Sequence, residues 1–156
     1  MEYKFKKPVY GTIATEKYQC TIQWRNGKFI VDEPETSGGK DTGPDPFTLL
    51  LSSLACCTLV TMRMYIERKG WDIPNIAVNA NWYQETKDDK TITIIDIDII
   101  FLSPVVEEQK LRLQEIAKHC PISKILENDI KVQTSVFRSG EIEQKIIYTK
   151  DIIKHK

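Results

Sequence analysis

The longest apolar stretch of the chain runs from Pro46 to Met62 and carries no charged side chain. A surface helix has an apolar stripe on one side only, so this pattern predicts a helix that is buried on every side. Both ends are marked. Asp45 can cap the first turn ahead of the proline, and Gly70 follows a basic last turn. The sequence therefore predicts one long central helix over residues 46 to 69.

Protein, rather than lipid, is the expected surrounding of this helix. A membrane span needs roughly 20 apolar residues, whereas this run is shorter and contains the hydroxyl residues Ser52, Ser53, Thr58 and Thr61. A single domain of 156 residues has little material with which to cover such a helix completely. We therefore expect an obligate homodimer that buries two copies of the helix together.

Alternating apolar and polar positions predict strands on both sides of the helix. Residues 1 to 31 have β character, with a tight turn at Arg25-Asn26-Gly27-Lys28, and residues 33 to 44 form a loop that leads into the helix. After the helix, one strand is predicted from Ile76 to Trp82 and a second from Thr91 to Leu102, joined by a charged hairpin loop at residues 85 to 90. Strands grouped before and after a buried helix favour an α+β fold in which antiparallel sheets cover the helix.

A second helix is predicted after Ser103-Pro104, where serine would serve as the cap. Its apolar stripe consists of Val106, Leu113, Ile116, Ala117 and Cys120. Pro121 should break this helix and start a short new turn through Leu126. Residues 131 to 137 are predicted to form a strand that closes a single domain over residues 1 to 137. Residues 138 to 156 are predicted to form an extension with one more strand and a charged tail.

Charge and composition exclude several classes of function. Twenty-two basic residues balance 22 acidic ones, and no basic run is present that would neutralise phosphates, so nucleic acid is not expected as a partner. The N-terminal residues lack the apolar segment of a secretory signal, which predicts a cytoplasmic protein. The four cysteines are then expected to be thiols rather than disulfides.

Two of the cysteines occupy positions that suggest chemistry. Cys57 lies in the middle of the central helix, and Cys120 stands directly before a helix-starting proline, where free amides can stabilise a thiolate. The alternative is plain packing, because free cysteines are among the most buried residue types, and Cys20 keeps that interpretation. Cys56 should face away from Cys57, because adjacent helical side chains diverge by about 100°.

Other chemistries fit the spacing poorly. A metal site built from Cys56, Cys57, His119 and Cys120 would use neighbouring ligands, whereas zinc ligands are normally two to four residues apart. There is no C-x-x-C motif for a thioredoxin-like reaction. A hydrolase would need a histidine beside its nucleophile, and the only histidines are His119 and His155. We therefore expect neither a metal nor another cofactor.

Two segments resemble a known family. The run from Gly43 to Thr58, G-P-D-P-F-T-L-L-L-S-S-L-A-C-C-T, continues into M-R-M-Y and R-K-G-W and is similar to the central helix of the OsmC/Ohr family, the osmotically inducible and organic hydroperoxide resistance proteins. Supporting segments are D-E-P and G-G within residues 32 to 39, and H-C-P-I-S-K-I-L at residues 119 to 126. The resemblance covers about residues 30 to 137. It implies an intertwined α+β homodimer that reduces organic or hydrogen peroxides with thiols.

The resemblance also implies roles for single residues. Cys57 matches the peroxidatic cysteine and Cys120 the resolving cysteine, which would form a disulfide for an external dithiol to reduce. Two features of the family are missing from the expected places. A glutamate often follows the proline, whereas this chain has Phe47-Thr48-Leu49. The family's catalytic arginine comes from the N-terminal region, where the only arginine, Arg25, lies in a predicted turn and is not assigned that role.

Three functions remain open from the sequence. The first is a dimeric two-cysteine peroxidase whose buried site suits an apolar peroxide. The second is a non-catalytic dimer that binds a small apolar or acidic ligand, an alternative favoured by the missing carboxylate. The third is a stress-associated structural protein whose cysteines only fill space.

Overall fold

The computed structural model describes residues 3 to 137, and the predictions made for residues 138 to 156 lie outside this range. In chain order the elements are β1 (Tyr10–Ile13), β2 (Gln19–Trp24), β3 (Gly27–Asp32), a 3-10 turn (Glu35–Ser37), α1 (Pro46–Lys69), β4 (Ile76–Lys87), β5 (Lys90–Phe101), α2 (Glu107–Ala117) and α3 (Pro121–Leu126). The strands form two antiparallel sheets, β1-β2-β3 and β4-β5. The predicted α+β class is confirmed.

Helix α1 begins and ends where the sequence predicts. The side chain of Asp45 accepts hydrogen bonds from the amides of Phe47 at 2.8 Å and Thr48 at 3.1 Å. These bonds satisfy two of the amides that the first turn leaves without partners. At the other end Gly70 takes a φ of 63°, a left-handed conformation that glycine adopts without steric cost and that stops the helix.

The loop before α1 is fixed by a buried carboxylate. Asp32, at the end of β3, is fully buried, and its Oδ2 accepts hydrogen bonds from the amide of Thr42 at 3.2 Å and from its hydroxyl at 2.6 Å. The backbone also comes very close to itself here. A Cβ on Gly39 would lie 1.9 Å from the carbonyl oxygen of Glu33, and one on Gly43 would lie 2.4 Å from that of Ile30. The loop is therefore held in one shape where it delivers the chain to α1.

The β4-β5 hairpin covers one side of α1. Val78 pairs with Ile99 and Ile76 with Phe101, and these side chains pack on a core made of Met62, Tyr65, Ile66, Ile73 and Leu113. The predicted alternation is thus confirmed. The turn is tighter than predicted, because β4 extends to Lys87 and only Asp88 and Asp89 lie between the strands, with φ values of 50° and 59°. Two positive φ values match the twist of a hairpin.

Three predictions after β5 need correction. Helix α2 begins at Glu107 and not at Ser103-Pro104, because the chain is still extended at Val106 and no side chain caps the helix. Val106 is 63% exposed and does not belong to the buried stripe. Residues 131 to 137 are described without strand structure, so the strand predicted there is wrong.

The other side of α1 and the first sheet remain uncovered in one chain. The large apolar side chains Phe47, Leu50, Val60 and Met64 of α1 are 42 to 66% exposed. The β1-β2-β3 sheet makes few contacts with the rest of the chain. By length and composition α1 could also cross a membrane, with a mean hydropathy of 1.6, but the core helices of soluble proteins pass the same test. The predicted burial of α1 on every face therefore requires material beyond one described chain.

Helix α2 offers a matched test of the core. Leu113 is completely buried and Leu111 is 57% exposed on the same helix. Leu113→Ala should lower the free energy of unfolding by about 2 to 5 kcal/mol because it leaves a cavity, whereas Leu111→Ala should change it by about 0.5 kcal/mol or less. Urea unfolding monitored by circular dichroism measures both. Equal losses for the two variants would contradict the packing of α2.

Asp32 should make stability depend on pH. The hydroxyl of Thr42 is the main cause that lowers the pKa of Asp32 below its ordinary value of 3.8, and burial opposes it. A carboxyl group with a lower pKa in the folded state stabilises the fold above the unfolded pKa and loses that contribution as the pH falls through the folded pKa. As the pH falls below 4, the free energy of unfolding of Asp32→Asn should therefore decrease less than that of the wild type. Asp129→Asn, at an exposed position, serves as the control and should keep the wild-type acid dependence.

Candidate redox site

The structure brings two of the four cysteines together. Cys57 lies half-buried in the middle of α1, and Cys120 is completely buried directly before α3. Helix α3 packs against α1, and each of the two thiols is close enough to shift the pKa of the other. Cys56 is exposed and Cys20 lies half-buried on β2, so neither belongs to this pair. The two positions singled out in the sequence are therefore neighbours in space.

The break between α2 and α3 places Cys120. The helix α2 ends at Ala117, and Pro121 starts α3 in the first helical position, where its missing amide proton costs nothing. Cys120 itself is extended, with φ −56° and ψ 124°, which turns the chain back toward α1. As a result the amide of Ile122 lowers the pKa of both thiols, and the amide of Ser123 lowers that of Cys120.

Two threonines of α1 complete the surroundings. The hydroxyl of Thr61 donates to the carbonyl oxygen of Cys57 at 2.8 Å, the usual hydrogen bond to the preceding turn. Thr58 is almost completely buried, and its Oγ1 has no hydrogen-bond partner among the described residues.

The environment moves the pKa values of the two thiols in opposite directions. Burial, followed by the hydrogen bond to Cys120, raises the pKa of Cys57. Burial is also the largest single effect on Cys120 and raises its pKa, but the neighbouring thiol of Cys57, followed by the amide of Ser123, outweighs it, so that the pKa is lowered. When the pair loses its first proton, the negative charge is therefore favoured on Cys120 and the remaining proton on Cys57.

No charged side chain is among the strongest influences on either thiol within residues 3 to 137. Arg25 lies in the β2-β3 turn, with its guanidinium 5.8 Å from the ring centre of Trp24. The residues after Pro46, where the family often has a glutamate, make other contacts here. Phe47 stacks on Trp82 with ring centres 5.0 Å apart, and the amide of Thr48 bonds to Asp45. Of the activating groups considered from the sequence, the start of α3 is the one that affects the pKa of the thiols.

A pocket of about 500 Å³ lies between α1 and the junction of α2 and α3, and it is lined by neighbours of the two cysteines rather than by the cysteines themselves. Its wall includes Thr61, one turn after Cys57, and Pro121, which follows Cys120. Met64 and Ile116 add apolar surface, and Arg68 and His119 contribute the polar groups. The pocket is large enough for a small organic molecule.

Tyr65 separates this pocket from a second one of about 400 Å³ and is surrounded by cations. Arg112 donates a hydrogen bond to its hydroxyl at 2.9 Å, and Arg68 and Lys69 lie 5.1 and 5.7 Å from its ring centre. The bond from Arg112 is the main cause that lowers the pKa of Tyr65. Sequence analysis missed this cluster. The spacing of Tyr65, Arg68 and Lys69 predicts that the three side chains are neighbours on one helix. The position of Arg112 beside Tyr65 cannot be predicted in this way, because Arg112 belongs to α2.

Comparison with known proteins agrees with this architecture. A profile described as OsmC-like protein matches residues 38–135, well over half of the chain. This chain belongs to the OsmC-like protein family. The resemblance noted in the sequence is thereby confirmed.

Solved structures of OsmC-like proteins share the fold. An osmotic stress induced and detoxification response protein from Psychrobacter arcticus superposes with a TM-score of 0.65 at 20% identity, over 80% of this chain and 91% of that one. An OsmC like protein from Mycoplasma pneumoniae gives 0.62 at 22% identity, over 86% of this chain and 100% of that one. The organic hydroperoxide resistance protein OhrB of Bacillus subtilis gives 0.57 at 18% identity, over 83% and 96% of the two chains. At these identities the likeness shows the fold alone.

Proposed function

We propose that this OsmC-like protein reduces organic hydroperoxides in stress defence, with Cys57 as the attacking thiol and Cys120 as the resolving thiol. The observation that carries the proposal is the packing of α3, with the fully buried Cys120 at its start, against α1, which holds Cys57 close enough for each thiol to shift the pKa of the other. Family membership supports it, because one protein of this fold is named an organic hydroperoxide resistance protein. The exposure of the two cysteines supports the division of roles, because the half-buried Cys57 is accessible to a peroxide and the completely buried Cys120 is not.

The reaction balances as two steps and a reset. The Cys57 thiolate attacks the hydroperoxide, the S–O bond forms as the O–O bond breaks, and the departing alkoxide takes a proton to become an alcohol. The sulfur of Cys120 then displaces the hydroxyl group of the Cys57 sulfenic acid, giving a disulfide and water. An external dithiol reduces this disulfide and is itself oxidised. No metal or organic cofactor takes part in the proposed cycle.

The neighbouring pocket favours an organic peroxide over hydrogen peroxide. Met64 and Ile116 provide apolar contact that an alkyl group can use and that a molecule as small and polar as hydrogen peroxide cannot. The dependence on reduced thiols and an external dithiol fits a reducing compartment such as the cytoplasm. We therefore propose a bulky apolar peroxide as the substrate and the cytoplasm as the location.

A homodimer would complete the structure. In one chain the β1-β2-β3 sheet and one face of α1 leave large apolar side chains open, among them Ile13 at 60% and Val60 at 57% exposed. Exposed apolar surface of this extent marks an interface in soluble proteins. A second copy would bring its own α1 and sheet to the same surfaces, because a two-fold interface uses identical patches on both partners.

Treatment with one equivalent of an organic hydroperoxide such as cumene hydroperoxide should convert two thiols per chain into one disulfide between Cys57 and Cys120. Cys57→Ser should abolish turnover. Cys56→Ser should remain active, because that side chain points about 100° away along the helix. Thiol titration and peptide mapping by mass spectrometry give the result.

Three outcomes would count against this mechanism. A peroxide-induced disulfide at Cys56 would show that the attacking residue is wrong, and activity in Cys57→Ser would show the same. If no cysteine reacts, the pocket serves binding instead, which is the alternative function kept from the sequence.

The wild type should sediment as a dimer at micromolar concentration. Val60→Asp should give a monomer or an aggregate, because the new carboxylate would be buried without a partner in the interface. Asp72, which is exposed after α1, provides the control: Asp72→Asn should leave the sedimentation of the dimer unchanged. A folded, monomeric wild type would refute the proposed dimer.

A further inference from the structure

We propose that the cavity between the end of α1 and the outer face of α2 binds a free α-amino acid with an aromatic side chain. The cavity, here called the Trp71 pocket, has a volume of about 400 Å³. Small-molecule sites typically measure roughly 300 to 1,000 Å³. Among the described residues this pocket shares only Tyr65 with the pocket near the cysteines. Binding here is therefore independent of the proposed peroxide reduction.

The floor of the Trp71 pocket is aromatic. Tyr65 and Trp71 meet edge to face, with ring centres 5.6 Å apart and ring planes at 73°. Tyr65 is buried and Trp71 is half-buried, and both pack on the core that α1 forms with α2. Leu111 of α2, which is 57% exposed, adds apolar surface to the wall. An aromatic ring of a ligand can pack on this surface in the same edge or offset geometry.

Two cations stand beside the floor and have no carboxylate within ion-pair distance among residues 3 to 137. Arg112 donates from Nε to the hydroxyl of Tyr65 at 2.9 Å, which fixes the guanidinium and leaves its terminal nitrogens for another acceptor. The ammonium group of Lys69 lies 5.7 Å from the ring centre of Tyr65. Together they can bind a carboxylate, the anion whose planar shape fits a guanidinium best.

Glu108 provides the opposite charge. It lines the pocket one turn before Arg112, so the two side chains start from neighbouring positions on one face of α2. They form no ion pair with each other, and Glu108 pairs with no other cation in the part of the chain that the structure describes. Glu115, the second acidic residue of the wall, is bonded to Lys118 at 2.8 Å. The carboxylate of Glu108 is therefore available to an amino group.

These groups match an α-amino acid better than a ligand with one charge. The carboxylate of the amino acid accepts from Arg112 and Lys69, and its ammonium group, on the adjacent carbon, donates to Glu108. A simple anion would be repelled by Glu108, and a simple amine would be repelled by the two cations. An aromatic side chain is favoured over a small one because it buries more apolar surface on Trp71 and Leu111.

The test is a titration of the ¹⁵N-labelled wild-type protein with L-phenylalanine, followed by NMR. The indole signal of Trp71, assigned by its loss in Trp71→Phe, should shift, whereas the indole signals of Trp24 and Trp82 should not. Three analogues each lack one group of the ligand: 3-phenylpropionate lacks the ammonium group, 2-phenylethylamine the carboxylate and L-alanine the ring. Each analogue should bind more weakly than phenylalanine by about tenfold or more.

Two variants at exposed positions test the two charges of the ligand separately. Glu108→Gln should weaken the binding of phenylalanine and 2-phenylethylamine by about tenfold but not that of 3-phenylpropionate. Lys69→Gln should weaken the binding of phenylalanine and 3-phenylpropionate but not that of 2-phenylethylamine. Glu107→Gln and Lys110→Gln are controls with the same changes of charge. These two residues pair with each other at 3.3 Å outside the pocket, and both controls should keep the wild-type affinity.

Several results would overturn the proposal. If the Trp71 signal does not shift with millimolar phenylalanine, the pocket does not bind amino acids. If 3-phenylpropionate binds as tightly as phenylalanine, the pocket is a plain anion site, and equally tight binding of 2-phenylethylamine makes it an amine site. Equal losses for all three aromatic ligands in Glu108→Gln or Lys69→Gln would show a change of structure instead of a lost contact. None of these results bears on the disulfide between Cys57 and Cys120.

Discussion

Covering an uncharged helix is the constraint on which this structure depends. Over its first 17 residues α1 carries no charge, so each of its faces must be packed against something apolar. The β4-β5 hairpin and α2 cover one side, where Met62 and Ile66 have essentially no exposed surface. The same enclosure keeps Cys57 partly shielded from water and near the buried Cys120. The pair proposed to react is therefore a consequence of the burial that forms the core.

Burial acts differently on the two thiols. An apolar environment raises the pKa of a thiol, and for Cys57 that effect prevails. For Cys120 the neighbouring thiol of Cys57, followed by the amide of Ser123, outweighs burial and lowers the pKa. Within the described residues, neutral groups therefore have the largest effects on both thiols. A site of this kind depends on hydrogen-bond geometry more than on long-range electrostatics, and salt should affect it little, because dipoles at contact distance are poorly screened.

Features that depend on local chemistry could be predicted from the sequence. Asp45, Pro46 and Gly70 mark the bounds of α1, because caps act within one turn. The alternation in β4 and β5 likewise predicts their buried faces. Ser103 was wrong as a cap because a cap motif does not show where an extended segment ends. The strand predicted for residues 131 to 137 failed since a strand needs a partner, which composition cannot supply. The hydrogen bond from Arg112 to Tyr65 depends on tertiary structure and has no local signal.

The loop that leads into α1 lies mostly on the surface yet has the steric constraints of an interior. Surface loops normally accept insertions and exchanges readily. Here the carbonyl groups of Glu33 and Ile30 occupy the space that side chains at positions 39 and 43 would need. Alanine, the smallest possible replacement, already carries the atom that does not fit. Designers who wish to graft a new surface onto this fold should therefore leave these two positions as glycine and use the β4-β5 turn, whose Asp88 and Asp89 project into solvent.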